Sequence, residues 1–173
     1  VQKVEPTRTE SAEEPTKAPL QLGDVHDVQD GGFSFQGVIG YDVNILTGQA
    51  TVVSPDGGFV LSLTKGDVPG ADALEVLMEH LLVKISENFE NFEADDPHPI
   101  TVDGIPGLAS DIRAELIGRP IAGKVAIAAT SDTQLFYAFA FTIEEPEGRW
   151  ESEGSEVFNA VIGSVDFYES NDE

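Results

Sequence analysis

Cysteine is absent from this 173-residue chain, and with it go disulfides, thiolate nucleophiles and cysteine metal sites. Basic residues are scarce. Nine Lys and Arg stand against 32 Asp and Glu, for a net charge of -23. Such a surface repels a phosphate backbone, which argues against nucleic-acid binding through a basic face. The same field disfavours direct docking on anionic lipid. Long apolar runs are also missing. The longest, such as Val125–Ala129 and Phe136–Phe141, fall far short of the roughly 20 residues that a membrane helix needs. No GxSxG, HExxH, GxGxxG or Walker spacing occurs, so the familiar hydrolase and nucleotide-binding signatures are lacking. The chain opens at Val1 without a charged-then-apolar leader, as expected of either a processed form or a trimmed chain.

What is present divides into two parts. Residues 1–24 carry Pro6, Pro15 and Pro19 among Thr, Ser, Glu and Gln, with too few apolar groups to offset the entropy of ordering them. They read as a flexible tail or linker. Residues 25–173 read as a single domain, a size at which one hydrophobic core is normal. Only five acidic residues and three basic ones lie in the tail, so the acidity belongs to the folded surface.

Hydrophobic periodicity in the domain changes between two and about 3.6 residues. Phe33 and Phe35 begin a strand after the Gly31-Gly32 turn signal, and Gln49–Ser54 gives a second. Pro55-Asp56-Gly57-Gly58 has the residues of a tight turn, after which Phe59, Leu61 and Leu63 alternate with Val60, Ser62 and Thr64. A helix is expected over Ala73 to Phe89, with Leu74, Leu77, Leu81, Ile85 and Phe89 on one stripe and Asp72 and Glu75 at capping-box spacing. The proline-rich, charged stretch Glu93–Pro99 reads as a loop. Short alternation at Ile100–Val102 follows, then long strands over Leu108–Leu116, Ile121–Ala129 and Leu135–Thr142. The last places Phe136, Ala138 and Ala140 on one face and Leu135, Tyr137, Phe139 and Phe141 on the other, so both faces must be covered. Val157, Phe158, Val161 and Ile162 fit a short second helix. Val165 and Phe167 would form a last short strand or pack at the helix exit. The expectation is an α/β fold of the α+β type: an α/β/α sandwich around a central, mainly antiparallel sheet of about seven strands.

Candidate sites are all acidic. Glu90, Glu93, Asp95, Asp96 and His98 form one group; with Glu87 they offer hard oxygen ligands suited to weak calcium binding, and His98 would admit zinc or manganese. The alternative is a solvated acidic patch, since no ligand register is visible. Asp24, His26, Asp27 and Asp30 fail the spacing of a calcium loop and read as a solvated lead-in. His80 reads as a boundary residue of the helix rather than a base, because no partner is in sight. A second cluster surrounds Arg149 and Trp150, with Glu147 and Glu151 beside them. Trp150 either packs over the end of the sheet or stands exposed as an interaction anchor. No catalytic residue and no resident cofactor emerge from these patterns.

The order of several short segments resembles the PsbP-like family, which includes extrinsic subunits of photosystem II and bacterial extracytoplasmic proteins and lipoproteins. Gly32-Phe33-Ser34-Phe35 stands where the family opens with an apolar strand, and Gly40-Tyr41 where a "P-x-GW" step commonly stands, here without the tryptophan. Asp103-Gly104-Ile105-Pro106-Gly107 matches the turn into paired strands, and Phe158–Val165 the closing helix-to-strand segment. The resemblance covers about Gly31 to Phe167. It implies the sandwich fold, a place outside the cytoplasm, and a tail that spans from a peripheral membrane tether to the domain. The family's known metal-binding histidines match none of His26, His80 and His98. The expected function is a noncatalytic accessory or interaction subunit of a membrane-associated protein complex. A calcium-dependent or peptide-binding module is the alternative, and an enzyme using unfamiliar carboxylates ranks last. The sequence leaves the oligomeric state open.

Overall fold

The alternation of Phe59, Leu61 and Leu63 is the key to the architecture, because these side chains are fully buried beneath one face of a large sheet. The computed structural model describes residues 20–67, 73–131, 134–145 and 147–168. Residues 1–19, Asp72, expected to cap the helix, and Pro69-Gly70, expected as a turn, lie outside the described residues; the N-cap position is Ala73, with no side-chain cap bond. In chain order the strands are β1 (Leu22–Val28), β2 (Phe33–Val38), β3 (Asp42–Leu46), β4 (Gln49–Val53) and β5 (Phe59–Asp67), followed by helix α1 (Leu74–Ser86). Then come β6 (Glu90–Ala94), β7 (His98–Val102), β8 (Ile105–Leu116), β9 (Arg119–Ser131) and β10 (Gln134–Ile143). A five-residue π-helix (Trp150–Gly154) runs into α2 (Ser155–Gly163), and β11 (Asp166–Phe167) closes the described chain.

Eight strands form the central sheet in the order β3-β4-β5-β10-β9-β8-β6, with β7 also paired to β8. Every pairing is antiparallel. A second sheet, ordered β11-β2-β1, has three strands. The longest strands are central, as the sequence predicts: β10 has Phe136, Ala138 and Ala140 buried on one side and Leu135 on the other. The face with the small residues receives α2, the π-helix and the small sheet in one cluster that holds Phe33, Phe35, Phe59, Trp150 and Phe158. Alanine side chains there let these elements approach closely. The opposite face receives α1, whose Met78 and Ile85 are buried against Ile112, Val125 and Ile127. An α/β/α sandwich is therefore the observed architecture, with one outer layer built jointly by a helix and a small sheet.

Three local expectations are corrected, and one further strand is added. The helix ends at Ser86 instead of Phe89, so Glu87 and Glu90 do not share a helix face; Glu90 lies in β6. Asn91 there has φ of 53°, a left-handed conformation that asparagine tolerates and that takes the chain out of helical geometry. The segment expected as a charged loop contains β6 and the start of β7. Leu22–Val28, part of it assigned to the tail and part to a solvated lead-in, is a strand of the small sheet, held by pairs such as His26 with Phe35 and Val28 with Phe33. Asp42–Leu46, unassigned by its pattern, pairs with β4 as the outer strand.

Candidate functional site

The corner where the β4–β5 turn meets the start of the π-helix gathers Tyr41, Ser54, Asp56, Glu144, Arg149 and Glu153. Asp56 is fixed first: its Oδ1 accepts from the Ser54 hydroxyl at 2.7 Å and from the Gly58 amide at 3.0 Å. Arg149 then donates two bonds to it, Nη1 to Oδ2 at 3.0 Å and Nη2 to Oδ1 at 2.9 Å, the bidentate geometry that makes arginine–carboxylate pairs strong. The guanidinium lies so close to the turn that a Cβ at position 58 would come 2.1 Å from Nη1. Any larger residue there would push the guanidinium aside. Arg149 Nε donates to Glu153 Oε1 at 3.0 Å, and the Tyr41 hydroxyl donates to Glu153 Oε2. One network thus ties the β2–β3 connection, the β4–β5 turn and the π-helix together.

Its electrostatics follow from these contacts. Hydrogen bonds from Arg149, Gly58 and Ser54 hold the Asp56 carboxyl well below the usual carboxylate range. Burial, reinforced by the hydrogen bond and charge of Glu153, pushes the Tyr41 phenol well above its ordinary value. The Asp56 hydrogen bonds raise Arg149 further, despite its partial burial. One guanidinium is shared between the Asp56 and Glu153 carboxylates, and the Tyr41 hydroxyl adds a hydrogen bond to Glu153, so the arrangement serves as a clamp that carries one net negative charge.

Glu144 secures the other side of the same corner. Its carboxylate accepts from Thr142 Oγ1 at 2.7 Å, from the Gly148 amide at 2.9 Å and from the Trp150 amide at 2.8 Å. These two amides belong to the opening turn of the helical segment, whose N–H groups have no partner within the helix. Trp150 is thereby turned inward. It is 8% exposed, its ring is stacked on Phe59 with centroids 6.4 Å apart, and it meets Phe158 at 6.1 Å. A Cβ at Gly154 would come 2.4 Å from the indole. Of the two readings of this tryptophan, the structure has the packed one. Arg149 is also largely enclosed, with 19% of its side chain exposed. Glu147 and Glu151, beside them in sequence, are exposed.

The acidic group Glu90, Glu93, Asp95, Asp96 and His98 is strung along the β6–β7 margin of the sheet, and all five are exposed. Glu93 is opposite Arg113, and Asp95 forms an ion pair with Arg113 at 3.6 Å. Among the described residues, no three His, Asp or Glu side chains are gathered closely enough to hold a metal ion. The structure therefore does not bring these five together as a centre. Asp24 and His26 fall on β1 and Asp30 in a single 3-10 turn, while Asp27 accepts from the Tyr168 hydroxyl. His80 is an exposed residue of α1. Asp56, Glu153, Tyr41 and Glu144 escaped the sequence reading as a group, because their partners lie up to 112 positions away. Glu144 and Glu153 belong to the acidic cluster around Trp150 and Asp56 to the Pro-Asp-Gly-Gly turn, but nothing in the sequence links these two segments to each other or to Tyr41.

Two open clefts accompany the clamp. One, of about 440 Å³, lies between β6, β8, β9 and the Glu144–Glu147 segment and is lined by Glu93, Arg113, Glu115 and Glu147 over Ile121. The other, of about 380 Å³, lies beside the β2–β3 connection and includes Asp24, His26, Gly37, Ile39 and Asp42.

Cyanobacterial PsbP from Synechocystis sp. PCC 6803 superposes with a TM-score of 0.63 over 92% of this chain and 98% of its own, at 15% identity. The chain has the fold of PsbP. The same architecture occurs in LpqN, a protein involved in cell envelope biogenesis of Mycobacterium tuberculosis, with a TM-score of 0.66 over 87% of this chain and 92% of that one, at 9% identity. It also occurs in the Saccharomyces cerevisiae Ran-binding protein Mog1p, with a TM-score of 0.61 over 86% and 96%, at 10% identity. No family model matches the sequence, and no curated protein matches it. Among the described residues no helix is long and apolar enough to cross a membrane.

Proposed function

We propose that this chain is a noncatalytic, PsbP-like accessory subunit that works outside the cytoplasm and docks on a membrane-associated protein complex. The observation that carries the reading is the fold shared with a cyanobacterial PsbP across nearly the whole of both chains. Fold alone does not dictate function, so the local chemistry matters. It agrees: the polar cluster of Tyr41, Asp56, Arg149 and Glu153 spends its hydrogen bonds on itself and fixes the shape of a corner, which is what a rigid binding body needs. Two other structures with this architecture belong to proteins with a cell-envelope role and with binding to another protein, and both fit an interaction module.

In this reading residues 1–21, ahead of β1, supply reach between a membrane tether and the domain. Glu147 and Glu151 supply exposed charge beside the corner shaped by Arg149 and Trp150, and a positively charged partner surface would complement them. The test is affinity capture of the full chain from gently isolated native membranes, repeated across a salt series. The expected result is stoichiometric recovery of one complex, weakening as salt shortens the roughly 8 Å screening length. Recovery only as a free monomer, from membranes and from whole cells alike, would contradict the proposal.

A further inference from the structure

The two edges of the eight-stranded sheet are finished differently. At one, β6 bears Glu90 and Glu93, its pairing with β8 is interrupted by a bulge between them, and β7 beside it carries Pro99. Charge, irregularity and proline are the usual means by which an exposed edge is kept from pairing with another chain. The other edge, β3, reads Asp-Val-Asn-Ile-Leu, pairs with β4 without a break in register and contains neither proline nor lysine. Ile45 is 41% and Leu46 53% exposed, and Ile39 just before the strand is 61% exposed. Asp42 is its one charged residue, and among the described residues no further strand pairs with it.

Among the described residues, the backbone pattern shows which groups of β3 have no strand partner. The Ser54 amide donates to the Phe59 carbonyl and the Lys65 amide to the Gly48 carbonyl, so Ala50 and Val52 direct their backbone groups to β5 and Gln49, Thr51 and Val53 direct theirs to β3. Those three stand opposite Leu46, Asn44 and Asp42. Val43 and Ile45 therefore turn their N–H and C=O groups outward along the open edge. The 380 Å³ cleft adjoins the Asp42 end, with Asp24 and Asp42 in its wall and no Lys or Arg.

We propose that β3 is a strand-addition site for an extended segment of a partner protein. The segment carries apolar side chains at alternate positions, which lie against Ile45 and Ile39, and one lysine or arginine that enters the cleft between Asp24 and Asp42. Main-chain pairing supplies affinity and the side chains supply selection. Charge decides the occupant: a second copy of a chain with net charge -23 brings the same carboxylates to the edge and is repelled, whereas a basic segment is attracted. The inference rests on the interaction-subunit reading and names its surface.

The experiment is selection from a random decapeptide display library on the full chain, followed by affinity measurement against the wild type, Ile45→Pro and Ile45→Lys. Proline at this position removes an outward amide while leaving the β3–β4 hydrogen bonds in place, and matched melting temperatures check that both variants fold. The expected outcome is enrichment of alternating apolar peptides with a basic residue, whose affinity falls about tenfold or more in Ile45→Pro. Their preference for the basic residue should disappear in an Asp24→Asn, Asp42→Asn double variant. Absence of enriched peptides, or binding unaffected by Ile45→Pro and Ile45→Lys, would overturn the site. Dimerisation of the wild type that Ile45→Lys abolishes would overturn the partner segment in favour of a second copy. Peptide binding at β3 without capture of a membrane complex would leave the site standing and remove only the membrane reading.

Discussion

The two faces of the central sheet are covered unequally. Toward α2 and the small sheet, the buried cluster holds 22 described residues, whereas toward α1 it holds eight, so most of the apolar burial that drives folding lies on the first side. Phe33, Phe35, Phe59 and Phe136 are fully buried there. Across the sheet, Leu74, Leu77, Leu81 and Leu82 of α1 are only partly buried, and Val76 and Val83 are exposed at 38% and 56%. The difference indicates a core that determines the stability of the domain and a helix that rests on it with less support.

The largest expected effect comes from cutting into the α2 side. Trp150→Ala should cost about 3–5 kcal/mol, the usual range for removing a large buried aromatic ring, and Leu81→Ala on α1 should cost less than half as much. Urea unfolding midpoints measure both. Equal losses would erase the proposed asymmetry.

The same asymmetry separates what the sequence reveals from what it hides. Long central strands and the α2 stripe are legible because period-two and period-3.6 burial is strict where both sides of an element are packed, as at Phe136, Ala138 and Ala140. Edge elements lack that constraint. Leu22–Val28 mixes Asp24 and Asp27 with Val25 and Val28, and Asp42–Leu46 is exposed over four of five positions, so neither leaves a clean alternation. The helical stripe runs on to Phe89 in sequence, yet Phe89 packs edge-on to Phe139 and Phe141 from beyond the helix end. At the candidate site, the acidic composition around Trp150 was visible. The clamp was not, because it depends on the tertiary meeting of Tyr41, Asp56, Arg149 and Glu153.

The next effect in size tests that clamp. Arg149→Ala should cost about 1–2 kcal/mol, since charge-assisted hydrogen bonds are lost but Asp56 is exposed enough for water to replace part of them. A double-mutant cycle with Glu153 should give a coupling clearly above that of Arg119 with Glu145, a pair more than half exposed on each side. Comparable couplings would mean that the corner is no more rigid than the surface.

A gain of stability is expected on the hairpin joining β8 and β9. Ile117 has φ of 50° and is 89% exposed, so a β-branched side chain bears left-handed strain without burial in return. Ile117→Asn should raise stability by about 1 kcal/mol, because asparagine accepts this conformation more readily. An unchanged or lowered melting temperature would refute that account of the turn.

The smallest effect appears in alkali. Burial, together with the hydrogen bond to Asp27, pushes the Tyr168 phenol up to about 12, and Tyr41 is raised as well. The protonated forms are favoured in the folded state, so their contribution is complete below the unfolded phenol value near 10 and is lost as pH rises through the folded values. Absorbance titration should show these two phenols ionising late, with stability declining over the same interval. Normal titration of both would contradict the hydrogen bonds to Asp27 and Glu153.

Native-state hydrogen exchange tests the unequal faces most directly, because it resolves local opening from global unfolding. The account predicts that amides of β5, β9, β10 and α2 exchange only through global unfolding. Those of α1 should exchange through a smaller opening of lower free energy and lower denaturant dependence. Protection in α1 equal to that of the central strands, with the same denaturant dependence, would contradict it.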